Sequence, residues 1–197
     1  EFLPAAERLG VIRDIDRGMV GQAVDLLAAD ALGGGALEVN LSGRAFGDAE
    51  LPALIRQLLE TRGIAPQRLG FEITETAAIA DMAKAQRFIC MLKELGCRFS
   101  LDDFGSGFSS FYYLKHLQID CLKVDGSFVR GLSESVQDQH LVRGIVELCR
   151  GLGVEIAVEY VEDERTLELV RELGVDLAQG YHIGRPAPVE HRGQSAS

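Results

Sequence analysis

Arg98-Phe99-Ser100-Leu101-Asp102-Asp103-Phe104-Gly105-Ser106-Gly107-Phe108-Ser109-Ser110 runs from a strand-length apolar segment into paired carboxylates. A loop with two glycines then leads to a helix expected over Phe111–His116. Adjacent carboxylates at a strand end repel each other unless a cation stands between them or one keeps its proton. A divalent metal meets that need most simply, and hard oxygen ligands suit Mg²⁺, Mn²⁺ or Ca²⁺. Asp and Gly also build ordinary solvated turns, and for this stretch alone that plainer reading stands first.

On either side, apolar runs of strand length alternate with segments of helical period. Strands are expected at Ala36–Leu41, Leu69–Ile73, Cys97–Leu101, Cys121–Val124, Val154–Val158 and Asp176–Ala178. Helices are expected from Pro4 to Ala29, then at Glu50–Arg62, Ala80–Leu95, Gln137–Leu152 and Asp163–Leu173. Leu95-Gly96, Leu152-Gly153 and Leu173-Gly174 each close a helix directly before a strand, as a C-terminal glycine does. This alternation predicts a parallel sheet with crossover helices. One domain is expected over residues 1–188, followed by a disordered tail at 189–197.

Each strand ends on polar or ionisable residues: Asn40, Glu72 with Glu75, Asp102 with Asp103, Lys123, Glu159 with Glu162, and Gln179. Any one of these suits an ordinary surface position, but six successive strand ends are hard to explain by core packing. In parallel α/β folds that edge carries the active site. Glu72, Asp102 and Asp103 with Asn40 offer ligands for two divalent ions, the arrangement that clamps both oxygens of an in-line phosphoryl displacement. Lys123 would orient a water or neutralise a developing oxyanion, and Glu159 would accept a proton. Metal-assisted hydrolysis of a phosphate ester follows. A nucleophile triad does not, because His116, His140, His182 and His191 sit at no expected strand end beside a serine.

Composition narrows the partners. Acidic residues number 30 against 20 basic, a net charge of −10, which excludes the basic footprint of a DNA- or RNA-polymer binder. A phosphorylated small ligand would need metal ions to mask the repulsion. Cys90, Cys97, Cys121 and Cys149 form no Cys-x-x-Cys pair, so free thiols are expected in a reducing cytoplasm, either alone or as the cytoplasmic part of a membrane-anchored parent. No apolar run reaches membrane-spanning length, and no membrane contact by this domain is expected.

Six motifs occur in order: Val39-Asn40-Leu41-Ser42, Phe71-Glu72-Ile73-Thr74-Glu75, Asp102 through Ser110, Leu122-Lys123-Val124-Asp125, Glu159-Tyr160-Val161-Glu162 and Gln179-Gly180-Tyr181. Together with Phe2-Leu3-Pro4-Ala5-Ala6-Glu7 and the closing Arg185-Pro186, they resemble the EAL domain, the bacterial cyclic-di-GMP phosphodiesterase domain. The resemblance implies a TIM-like (β/α) barrel that opens cyclic di-GMP to linear pGpG with Mg²⁺ or Mn²⁺ at a two-metal site, where Ca²⁺ would inhibit. It makes Asn40, Glu72, Asp102 and Asp103 metal ligands. Lys123 would position the water held there, and Glu159 would be the general base or a ligand of the second metal. Glu75 would anchor the loop after Asp103, through which a homodimer is expected. Glu162 and Gln179 would support the site, and Tyr181, Arg185 and Pro186 would contact the ligand. Fusion to sensor or GGDEF-type domains is expected in the parent protein.

Two departures follow. Tyr160 stands where the family usually has glycine, and its ring would either crowd the mouth or point outward. The chain also begins after the Glu-Ala-Leu motif, whose strand and the one before it would make eight. An incomplete barrel of about six strands is therefore expected, with weak or no turnover by this chain alone. A non-catalytic cyclic-di-GMP receptor or interaction module stands as the alternative.

Overall fold

The computed structural model of the chain describes residues 2–105 and 113–189, which form two compact units. One takes the described residues of Glu1–Ile73, Ala77–Phe99 and Pro188–Ser197, the other those of Thr74–Thr76 and Ser100–Ala187.

In the first unit, α1 (Phe2–Leu9) and α2 (Ile12–Ala28) precede β1 (Leu37–Asn40), α3 (Leu51–Arg62) and β2 (Leu69–Thr74). After β2 come α4 (Glu75–Ala80), whose residues Glu75 and Thr76 belong with Thr74 to the second unit, and α5 (Met82–Glu94). The largely helical stretch expected from Pro4 to Ala29 is α1 and α2, parted at Gly10, which turns with φ 76°. The helix expected from Ala80 begins instead at Met82, because the Asp81 carboxylate caps it by accepting the Lys84 N–H at 3.1 Å. α4 was not expected.

Helical spacing gives each helix one apolar stripe. Val20, Val24 and Leu27 of α2, Leu51, Ile55 and Leu59 of α3, and Ala85, Phe88, Ile89 and Leu92 of α5 are all buried. Phe88 meets Phe46 and Phe99 at ring distances of 5.7 and 6.2 Å, and Phe99 meets Phe71 at 5.6 Å. β1 and β2 run parallel with Asn40 opposite Glu72, and α3 makes the crossover between them.

The second unit holds β3 (Arg98–Phe104) from Ser100 onward, β4 (Cys121–Val124), α6 (Val136–Leu152), β5 (Glu155–Val158), α7 (Glu164–Leu173) and β6 (Leu177–Ala178). Each of these strands lies parallel to the next in chain order. Leu122, Val124, Val142, Val146, Ile156, Val158 and Val170 fill the core between strands and helices. Ser135 and Asp163 cap α6 and α7 by accepting the N–H groups of Asp138 and Thr166. The expected Leu-Gly helix ends are present, with Gly96, Gly153 and Gly174 all left-handed at φ 94°, 70° and 83°.

β3 does not stop at Leu101, as expected, but continues through both aspartates to Phe104. The helix expected over Phe111–His116 is not formed where it is described: Tyr113–His116 make a turn, in which His116 and Leu117 both donate to the Tyr113 carbonyl. Phe111 and the rest of the loop from Ser106 lie outside the described residues, as does the expected tail from Glu190 onward. Among the described residues, no helix is long and apolar enough to cross a membrane.

Candidate metal centre

β3 and β4 pair at Leu101–Leu122 and again at Phe104–Val124. Two residues of β3, Asp102 and Asp103, thus face the single residue Lys123 of β4. Such a bulge re-aims side chains that a regular pleat would send to opposite faces. Asp103 completes it with a left-handed φ of 58°, a conformation aspartate tolerates better than most residues.

Carboxylate oxygens of Asp102, Asp103 and Glu159, one from each, lie within 4.8 Å of one another. Glu159 enters from the residue after β5, next to Lys123. The Lys123 ammonium stands 3.0 Å from Glu159 Oε1 and 3.3 Å from Asp102 Oδ1, with the lysine side chain 7% exposed. With all groups ionised, three carboxylates against one ammonium leave a net charge of −2. Burial pushes the Asp103 carboxyl above the usual carboxylate range, and Asp102, Asp125 and Glu159 push it further.

Asp102 Oδ1 is buried and accepts no hydrogen bond among the described residues; the Lys123 contact lacks hydrogen-bond geometry. A buried carboxylate oxygen without such a partner is costly, and a hard divalent cation is the partner this donor set suits. The residues present therefore fit a divalent metal ion.

Glu75, buried at the start of α4, joins the two ends of the loop that follows the cluster. Its Oε2 accepts the Gly105 N–H at 3.0 Å and its Oε1 accepts the Tyr113 hydroxyl. In the other unit, Asn40 and the buried Glu72 stand side by side at the C-terminal ends of β1 and β2, with the Leu41 N–H donating to the Glu72 carbonyl. Gln179 ties β6 to β5 through its backbone: it donates to Val158 and accepts from Val161. Its side chain is exposed, as is that of Glu162. Tyr181, Arg185 and Pro186 are exposed as well, with the Arg185 guanidinium 4.5 Å above the Tyr181 ring. The Tyr160 ring lies against Gly126 and beneath the Arg130 guanidinium, which is 4.0 Å from its centroid.

Sequence reasoning missed Asp16 and Arg17. Buried Asp16 accepts the Ser42 N–H at 3.1 Å and the Ser42 hydroxyl at 2.6 Å, fixing the turn just after Asn40. Arg17 grips Asp48 through two hydrogen bonds of 2.8 and 2.7 Å and holds that carboxyl below its usual range.

Parallel strands joined by crossover helices, with a carboxylate cluster at strand ends, are the features of a β/α-barrel protein. The chain belongs to the EAL family: the EAL domain model matches residues 1–186, and the fold is the TIM-like barrel of that family, with six strands among the described residues. It is 36% identical over 191 residues to the cyclic di-GMP phosphodiesterase PdeB of Shewanella oneidensis, covering 96% of this chain and 22% of PdeB. The chain thus spans about a quarter or less of that relative's length. Among solved structures, PaMucR phosphodiesterase in complex with c-di-GMP is 35% identical with TM-score 0.87, covering 95% of this chain and 77% of the chain in that structure. The Xanthomonas citri FimX EAL domain in complex with c-diGMP is 25% identical with TM-score 0.91, covering 99% and 78%.

Proposed function

We propose that this chain is the phosphodiesterase part of a bacterial second-messenger protein, hydrolysing cyclic di-GMP to linear pGpG with Mg²⁺ or Mn²⁺. The observation that carries this is the Asp102–Asp103–Glu159 cluster, whose buried Asp102 oxygen lacks a hydrogen bond. Asp102, Asp103 and Glu159, with Asn40 and Glu72, are the proposed ligands. When bound, the ions supply Lewis-acid charge at the scissile phosphate.

The chain's own groups do the rest. Water adds to phosphorus, one P–O bond to a ribose 3′ oxygen breaks, and the products are a phosphomonoester and a free hydroxyl. Glu159 takes the proton of the attacking water, which passes to the leaving oxygen. Lys123, 3.0 Å from Glu159, holds that carboxylate in place and balances charge on the pentavalent phosphorus. Glu75 fastens the loop after Asp103, Glu162 and Gln179 support the site, and Tyr181, Arg185 and Pro186 contact the ligand. A homodimer through that loop, a cytoplasmic site of action, and fusion to sensor or GGDEF-type modules belong to the same proposal.

The full-length protein incubated with cyclic di-GMP and Mn²⁺ or Mg²⁺ should release pGpG on anion-exchange chromatography, and EDTA should stop the release. Intact nucleotide retained by the protein, with no pGpG at any metal concentration, would replace this function with that of a receptor.

A further inference from the structure

Tyr160 occupies a backbone position that is left-handed, with φ 60°, a region that residues bearing a Cβ seldom adopt. Something must hold it there, and the structure shows two contacts that do. The ring lies so close over Gly126 that a Cβ at that position would come 1.9 Å from ring Cδ2. Arg130 closes from the other side, 4.0 Å from the centroid. Gly126 is glycine because Tyr160 occupies its side-chain space.

The residues on each side of Tyr160 are fixed by different partners. Val161 is buried, donates to the Gln179 carbonyl and accepts from the His182 N–H. Gly180 packs so tightly on Val161 that a Cβ there would stand 2.1 Å from its carbonyl oxygen. Glu159, one residue earlier, reaches Lys123 and the aspartates. The left-handed turn at Tyr160 therefore sets the direction in which Glu159 leaves the anchored Val161.

We infer that Tyr160 is a positioning residue: with Gly126 and Arg130 it locks the turn that aims Glu159 into the carboxylate cluster. This rests on the metal-centre reading above. Its ring is turned onto the loop after β4, so the ligand-blocking role considered for it is not needed.

The test uses the full-length protein and Mn²⁺ alone, titrated calorimetrically, then steady-state hydrolysis of cyclic di-GMP. Tyr160→Gly should weaken Mn²⁺ binding by about tenfold or more, the usual cost of losing a group that orients a ligand, and lower kcat with KM little changed. Tyr160→Phe keeps the ring and should match wild type in both. Gly126→Ala expels the ring from the loop after β4 and should reproduce the Tyr160→Gly losses, while the double variant should be no worse than Tyr160→Gly. A Tyr160→Gly protein with a changed melting temperature but wild-type Mn²⁺ affinity and kcat would overturn the positioning role. Losses that simply add in the double variant would overturn it too. Absence of Mn²⁺ binding by wild type would remove the metal centre and this inference together, an outcome distinct from unchanged binding in the variant.

Discussion

Replacing Asp102 with asparagine should change stability in opposite directions with and without metal. In the metal-free protein, Asp102 is repelled by Asp103 and Glu159 at 4.8 Å or less and attracted by Lys123 at 3.3 Å. With an effective dielectric of about 20, each repulsion is worth about 3.5 kcal/mol and the attraction about 5 kcal/mol. Two repulsions exceed one attraction by about 2 kcal/mol, so neutralising Asp102 should raise the metal-free melting temperature by roughly 4–8 °C for a chain of this size. Metal reverses the order. Wild type saturated at about a hundred times its dissociation constant gains about 2.7 kcal/mol, and the variant, lacking a ligand, gains little.

The assay is thermal unfolding of wild type and Asp102→Asn at about pH 8, above the carboxylate range, in EDTA and in excess Mn²⁺. The variant should melt higher in EDTA and lower in Mn²⁺. A variant that melts lower in both would show Asp102 to be structural, and equal Mn²⁺ shifts in the two proteins would refute its role as a ligand.

Glu75→Ala should destabilise the fold by about 3 kcal/mol in urea unfolding, since two hydrogen bonds to a buried charged group are lost. Tyr113→Phe should cost about half of that, and in the Glu75→Ala background it should cost almost nothing; additive losses would argue against the clamp. Burial raises the Asp16 carboxyl despite its bonds to Ser42, so the folded protein keeps that proton to higher pH than the unfolded chain. Its contribution to stability therefore falls as pH climbs from the ordinary aspartate value through the raised one. The stability of Asp16→Asn relative to wild type should therefore rise over that interval, and a relative stability that falls as pH rises would contradict the assignment.

The parallel strand–helix order was legible because its signals are local: apolar runs of strand length, and Leu-Gly ends whose glycines do turn left-handed. The cluster's carboxylates were legible for the same reason, since Asp102, Asp103 and Glu159 follow apolar runs directly, and Lys123 stands inside one. What escaped was backbone conformation and long-range pairing. Nothing in Leu101-Asp102-Asp103-Phe104 announces a bulge, because register depends on the partner strand. The left-handed turn at Tyr160 was hidden by a side chain that usually avoids it, and its explanation lies at Gly126 on another strand's loop. Tyr113 sat in an expected helix, yet its hydroxyl bonds Glu75, 38 residues earlier. Asp16 was passed over because a buried carboxylate in a helix is recognisable only once Ser42 is seen beside it.

Whether the carboxylate cluster is a metal centre is tested most directly by anomalous diffraction from crystals of the full-length protein soaked in Mn²⁺. The account predicts a manganese peak touching oxygens of Asp102, Asp103 and Glu159. Manganese bound elsewhere, with those three carboxylates still paired only with Lys123 and water, would contradict it.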